Sequence, residues 1–157
     1  IAGDSSYNQP MRCALILLLS LAGPLLAQGT ARLIELKPVM YQMMFSPRVL
    51  TVRAGESVEL VFDNIDVQPH NVLICTPGSK ERVGKLADRL AVSSGSAHPD
   101  YIPRCPEVLH AMKPVKPGKK GRLRFVAPAK PGDYVFIFTC PGQWRRMNGI
   151  FKVIPAE

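Results

Sequence analysis

The chain has 157 residues, of which 46% are hydrophobic and 20% charged, and its net charge is +8. This length allows one domain with a substantial core and is too short for two ordinary domains. Fifteen prolines and twelve glycines favour many short strands and turns over a bundle of long helices.

The N-terminal segment has the features of an export signal. Met11-Arg12 begins a short positive region, an apolar run follows from Cys13 to Leu21, and Ala27 ends a small-residue cleavage pattern. We therefore predict a leader over residues 1–27, with the signal peptide at 11–27, and a mature domain over 28–157. Residues 1–10 precede the first methionine and are either upstream or non-native sequence. Export predicts a periplasmic or secreted protein.

Alternating apolar residues predict several strands. The segment 48–63 reads RVLTVRAGESVELVFD, which predicts a β-hairpin with a turn at 54–56. An apolar run from His70 to Thr76 predicts the next strand. Earlier in the chain, Met40 and Met44 would share one strand face and Met43 the other, so packing is favoured over a soft-metal cluster.

The second half of the chain begins with a helical pattern. Apolar residues recur at helical spacing over 79–92, with Ser79 as the expected N-cap. We predict a short helical turn at 107–112 and strands at 121–127, 134–139 and 149–154. Closely spaced strands with one helical excursion predict a β-sandwich with a helical flap.

The basic residues suggest a partner class. Removing residues 1–27 takes away one cation and one anion, so the mature charge stays at +8. Much of it lies between Lys113 and Arg124, which predicts either a solvated face or a docking face for an acidic protein. Association with a membrane surface is not predicted. Nucleic acid is not an expected partner, because the basic run lacks interleaved aromatics and the chain has no nucleic-acid-binding motif.

Two separated motifs resemble the copper-ligand loops of azurins and auracyanins. Residues 64–71 read NIDVQPHN, and residues 141–149 read PGQWRRMNG, which is similar to the family pattern C-x-x-P-G-H-W-x-x-M-x-G. The resemblance spans about residues 35–155. It implies an all-β fold, a Greek-key β-sandwich of seven or eight strands with the helical flap, and a copper-binding electron-transfer function.

The resemblance also implies roles for single residues. His70 matches the first imidazole ligand, Met147 the axial ligand and Asn71 the residue that braces the two ligand loops. Gln143 stands where the family has its second histidine, and Phe138 stands where it has the cysteine. Type 1 copper is held by two imidazoles, one thiolate and a weak axial Met, so these changes argue against redox competence.

Cys140 offers a second register. It lies two residues after Phe138, and both would share a face if the strand continued, which would make Cys140 the thiolate of a shortened loop. The candidate metal ligands are then His70, Cys140, Gln143 and Met147. Phe138 would otherwise fill the space of the metal.

The mature chain has three cysteines, so they cannot all pair internally. Cys75 and Cys105 flank the helical flap and are the candidate disulfide, with Cys105–Cys140 as the competing pair. An exported protein favours such a bond.

Three functions stay open. The first is a copper electron-transfer protein of altered ligand set, the second a metal-free binding or structural module, and the third a non-redox copper-holding protein. The sequence contains no hydrolase triad, no phosphate-binding loop and no paired carboxylates in a plausible cleft. We therefore expect no enzymatic activity.

Overall fold

The computed structural model describes residues 30–94 and 100–156. The predicted leader and its boundary lie outside these residues. Within them the chain forms nine strands and one α-helix, α1. The strands are β1 (Arg32–Val39), β2 (Met44–Ser46), β3 (Val49–Arg53), β4 (Ser57–Asp63), β5 (His70–Cys75), β6 (Val108–Val115), β7 (Lys120–Val126), β8 (Gly132–Ile137) and β9 (Asn148–Ile154), with α1 (Lys80–Ser94) between β5 and β6.

The strands form two mixed sheets. One has the order β2-β1-β4-β7 and the other the order β3-β9-β8-β5-β6. The pairs β1–β4 and β3–β9 are parallel, and the other pairs are antiparallel. Buried residues of both sheets form one core, including Leu60 and Phe125 from the first sheet and Val72, Phe136 and Phe151 from the second. The predicted all-β sandwich with a helical flap is confirmed, and the three-residue β2 brings the strand number to nine.

Helix α1 covers the outer face of the five-stranded sheet. Val72 and Phe136 point into the main core, so the alternate residues Leu73 and Ile137 point outwards, where they pack with Val83 of the helix. The helix begins one residue after Ser79, as predicted. The Ser79 hydroxyl donates to the Thr76 carbonyl (2.7 Å), and in the described part of the chain it accepts no helical N–H. Within the described residues, no helix is long and apolar enough to span a membrane.

The predicted hairpin over 48–63 is wrong. Its two strands exist, but β3 pairs with β9 and β4 pairs with β1 and β7, in different sheets. The turn between them bonds to other strand ends: the Ala54 N–H donates to Ile154 (2.8 Å) and the Gly55 N–H to Ala127 (3.2 Å). Alternation specifies which face of a strand is buried, and it does not specify the neighbouring strand.

Two further local predictions are wrong. Within the predicted helical turn at 107–112, residues 108–112 belong to strand β6, because β5 offers them an antiparallel partner. Met40, Met43 and Met44 do not share a strand. Met40 and Met43 lie in the turn that precedes β2, and Met43 has a positive φ of 48°.

Candidate functional site

His70 begins strand β5 and is 3% exposed. Its Nε2 lies 3.2 Å from the Asp66 carboxylate, while its Nδ1 is buried and makes no hydrogen bond within the described residues. Burial lowers the pKa of His70, and the carboxylate of Asp66 opposes this shift only in part. The imidazole is therefore neutral near pH 7 and keeps one buried nitrogen without a hydrogen-bond partner.

The loop before His70 is organised by Asn64. The buried amide of Asn64 donates to the carbonyls of Gln68 (2.8 Å) and Val115 (2.7 Å), and its oxygen accepts the Asp66 N–H (3.1 Å). These bonds hold the Asp66 carboxylate at the imidazole. The motif at 64–71 contained Asn64 and Asp66, but sequence reasoning gave neither residue a role. An Asn that accepts the N–H two residues later is the local signal for such a turn.

Phe138 fills the space beside the imidazole. Its ring centroid lies 4.6 Å from that of His70, edge to face, and the Phe62 ring lies on the same histidine at 6.2 Å. The Phe138 N–H donates to the Met147 carbonyl (3.0 Å), and the Met147 side chain is fully buried in the same core. The two motifs therefore meet at one end of the sandwich, but hydrocarbon occupies the position that aligns with the cysteine ligand.

Cys140 does not join His70 in one cavity. Strand β8 ends at Ile137, so the continued strand that the second register required is absent. Cys140 is half-buried and lines a cavity of about 270 Å³ together with Phe138 and Asn71, and His70 does not line it. Burial raises the pKa of Cys140, so the neutral thiol is favoured at neutral pH.

Gln143 lies on the other side of the loop. It begins a short 3-10 turn, Gln143–Arg145, and lines a cleft of about 100 Å³ with His70, Asp66 and Met43. The structure thus places Gln143 next to His70, Met147 in the core beneath Phe138, and Cys140 on a different cavity.

Asn71 connects the two loops through buried hydrogen bonds. Its amide donates to the Thr139 hydroxyl (2.8 Å) and the Asp100 carbonyl (2.7 Å), and its oxygen accepts the Thr139 N–H (3.0 Å). The Thr139 hydroxyl in turn donates to the Tyr101 carbonyl (2.6 Å). Asn71 therefore fixes the position of the chain segment between Phe138 and Cys140.

Sequence reasoning missed Asp88, which ties helix α1 to the second loop. The Asp88 carboxylate accepts the Gly142 N–H (2.8 Å) and the Trp144 indole N–H (3.1 Å), and Arg145 lies 3.3 Å from it. Burial alone would raise the pKa of Asp88, but these donors together lower it below its ordinary value. The indole also packs directly on Gly84. No sequence pattern indicates that residues 84 and 88 face residue 144.

The predicted disulfide residues lie close together at the far end of β5. Cys75 and Cys105 pack in the cluster beneath helix α1, and the structure describes them, like Cys140, as free thiols. Burial, with smaller effects of Cys105 and Glu107, raises the pKa of Cys75 to about 12. The predicted bond is therefore not present in this structure, although its two residues share one cluster.

We compared the chain and its fold with known proteins. No protein-family model and no curated protein matches the chain. Among solved structures, the reduced auracyanin of Roseiflexus castenholzii is 31% identical over 81% of this chain and 100% of its own length, with a TM-score of 0.68. The chain belongs to the cupredoxin family.

Two further structures resemble this cupredoxin. Auracyanin A of Chloroflexus aurantiacus, described as a "blue" copper protein, is 28% identical over 79% of this chain and 99% of its own, with a TM-score of 0.69. An azurin from Methylomonas sp. strain J is 16% identical over 80% of this chain and 99% of its own, with a TM-score of 0.66, and shows the fold alone.

The donor set of this cupredoxin does not fit a type 1 copper centre. Such a centre needs two imidazoles and a thiolate around one point. Here the Phe138 ring packs on the only imidazole of the two loops, and Gln143 replaces the second. Across 30–94 and 100–156, no three His, Cys, Asp or Glu side chains form a group able to hold a metal ion.

Proposed function

We propose that this cupredoxin is an exported, metal-free binding module and not an electron-transfer protein. The observation that carries the proposal is the buried Phe138 ring at 4.6 Å from the His70 imidazole. A buried phenyl ring fills its site at close-packed density, so copper could enter only if Phe138 moved out of the core.

The surface around His70 supports binding of a protein. Five exposed apolar residues lie at this end, in the turn before β2 and in the loop before His70: Met40, Tyr41, Met43, Ile65 and Val67, here called the His70-end patch. Tyr41, Met43 and Val67 line the same cleft as His70. Contiguous exposed apolar side chains are typical of interaction sites.

The backbone of the patch supports a functional constraint. Tyr41 and Met43 have φ values of 59° and 48°, in the left-handed region that non-glycine residues rarely adopt. Tyr41 is 79% exposed, so no core packing of its side chain accounts for this conformation. Strained backbone of this kind concentrates at functional sites.

The partner should combine an apolar surface with acidic groups. Arg145 and Arg146 are exposed beside the cleft-lining Gln143, and Arg146 makes no ion pair within the described residues. In that part of the chain, three further lysines have no carboxylate partner: Lys113, Lys116 and Lys119. The other three cations of this basic run are paired, Lys120 with Asp63 and Arg122 and Arg124 with Glu59. We propose an acidic protein as the partner, with no role for nucleic acid and no enzymatic reaction.

A non-redox copper-holding protein is the second candidate. The observation that favours it is the buried Nδ1 of His70, which makes no hydrogen bond while Nε2 faces a carboxylate. Metal-bound histidines commonly present their second nitrogen to a carboxylate in this way.

Copper titration distinguishes these functions. We expect the wild-type chain to take up no copper and to show no copper–thiolate absorption. Uptake that survives Cys140→Ser but is lost in His70→Ala would support the copper-holding protein. Strong visible absorption that is lost in Cys140→Ser would contradict our proposal and restore the electron-transfer reading.

A gain-of-function variant tests whether the changed ligand positions are the reason that copper does not bind. Phe138→Cys combined with Gln143→His returns a thiolate and a second imidazole to the loops, and we expect it to acquire intense copper–thiolate absorption. Gln143→His alone is the matched control and should remain colourless. If the double variant folds but binds no copper, then Phe138 is not the residue that keeps copper out of the site.

The patch has its own test. Tyr41→Ser and Val67→Ser should abolish capture of an acidic partner protein from an extracytoplasmic fraction, whereas Leu33→Ser, at an exposed apolar residue outside the patch, should not. Equal capture by all variants would contradict the assignment of the patch. Export and the mature start at residue 28 are proposals that the mass of the exported protein tests.

A further inference from the structure

A further cavity lies at the opposite end of the sandwich from His70. It is a groove of about 480 Å³, here called the base groove, lined by residues that include Pro77, Leu109, His110, Val126 and Lys130. Strand β5 runs from His70 to Cys75, and Cys75 pairs with Val108 and Val135, so the start of β6 and of β8 meet the end of β5 here. Six strand residues separate the two ends by roughly 17 Å.

The base groove is preformed and mostly apolar. Pro77, Pro128 and Pro131 line it, and their fixed φ angles stiffen the two loops that carry them, β5–α1 and β7–β8. The Tyr134 ring lies in the wall, held by a hydrogen bond from its hydroxyl to the Lys130 carbonyl (3.0 Å). Volumes of about 300–1,000 Å³ with apolar walls and few polar groups are typical of small-molecule sites.

The polar groups of the base groove favour an anion. Lys130 lines it and makes no ion pair within the described residues, and no Asp or Glu is among the lining residues. The His110 ring packs on the Phe125 ring with the centroids 4.5 Å apart, and the imidazole has no hydrogen-bond partner in the described part of the chain. Burial lowers the pKa of His110, so the neutral ring still offers one N–H donor.

We propose that the base groove binds a small organic anion with a flat apolar body. The apolar body would lie between the prolines and Tyr134, and the anionic group would face Lys130 with the His110 N–H as a second donor. This site is independent of the His70 end and of the function proposed for it.

Fluorescence titration tests the proposal with two dyes of nearly equal shape. Anilinonaphthalene sulfonate carries a negative charge, and phenylnaphthylamine is its neutral counterpart. We expect saturable one-site binding of the sulfonate to the folded chain. Lys130→Met should weaken sulfonate binding about two- to fivefold at low salt, because an exposed ion pair contributes modestly, and should leave the neutral dye unchanged.

A matched pair of surface variants locates the site. Val126→Glu puts a carboxylate at the groove on a residue that is 59% exposed, and we expect its repulsion of the anion to weaken sulfonate binding about two- to fivefold at low salt. Val49→Glu makes the same change on edge strand β3, at a residue that is 49% exposed and outside the groove, and should bind like wild type.

Three results would overturn the proposal. Absence of saturable sulfonate binding by the folded wild-type chain would remove the site. Equal binding by Val126→Glu and Val49→Glu would place the dye elsewhere. Equal loss of both dyes in Lys130→Met would show that charge does not select the ligand.

Discussion

Replacing Gly84 by alanine should destabilise this cupredoxin, although the same change stabilises most helices. Gly84 is buried in helix α1, and its Cα faces the six-membered ring of Trp144. A methyl group added there would lie closer to the indole carbons than real Cβ atoms approach. Either the helix or the indole must therefore move.

The magnitude follows from two opposing terms. Alanine in place of glycine inside a helix contributes about 0.5–1 kcal/mol of stability. Overpacking a filled site costs about 1–3 kcal/mol, and displacing the indole would also weaken its hydrogen bond to the Asp88 carboxylate, which costs about 1.5–3 kcal/mol when lost. We expect Gly84→Ala to lower the free energy of unfolding by about 1–3 kcal/mol.

Urea unfolding measures this change. Trp144 is the single tryptophan of the chain, so its fluorescence reports directly on the contact, and circular dichroism provides a second signal. With an m-value of about 1–3 kcal/mol/M, the midpoint should fall by roughly 1 M. Trp144→Phe replaces the indole with a smaller ring, which leaves room for the alanine methyl group. The double variant Gly84→Ala with Trp144→Phe should therefore be more stable than the sum of the two single changes predicts. A Gly84→Ala protein as stable as wild type would refute the packing of α1 on Trp144.

Three further predictions concern stability and thiol chemistry. The free energy of unfolding should fall as the pH falls from about 7.5 to about 5.5. Burial lowers the pKa of His70 and His110 below 6.5, so the unfolded chain binds more protons than the folded chain over this range. Urea midpoints across the range check this, and replacing both histidines by glutamine should flatten the slope. Oxidation should join Cys75 to Cys105 and raise the free energy of unfolding by roughly 3–4 kcal/mol on the loop-entropy description. Non-reducing peptide mapping checks the pairing, and urea unfolding with and without reductant checks the stability. A bond that involves another cysteine would contradict this pairing. Asn71→Ala should cost about 2–4 kcal/mol, because it leaves the buried Thr139 N–H and the Asp100 carbonyl without their partner, and thermal unfolding that matches wild type would contradict that role.

The position of Phe138 shows how a cupredoxin sequence can keep the fold of its relatives while the residue at a ligand position changes. The family likeness lies in strands, turns and loop-bracing residues, and these are not the ligand positions themselves. The ligand positions can therefore change while the fold is kept, so function must be argued from the site.

The sequence by itself determined six of the nine strands, the helix and the family; the six are β3, β4, β5, β7, β8 and β9. The buried residues Leu50 and Val52 alternate with less buried neighbours, as do Val58 and Leu60 over residues 57–60, and this period is a direct consequence of strand geometry. The ligand-loop motifs specified which positions would be compared with copper ligands. These features depend on residues close together in the chain, so they can be read without coordinates.

Tertiary structure alone decided the partners of each element. Backbone hydrogen bonds are the same for every strand, so nothing in residues 48–63 specified that β3 would join β9 and β4 would join β1. The Phe138 ring on His70, and the Asp88 carboxylate on Trp144, join residues more than fifty positions apart. Such contacts arise from how two sheets and a helix pack, because a side chain acquires its neighbours only when distant elements dock.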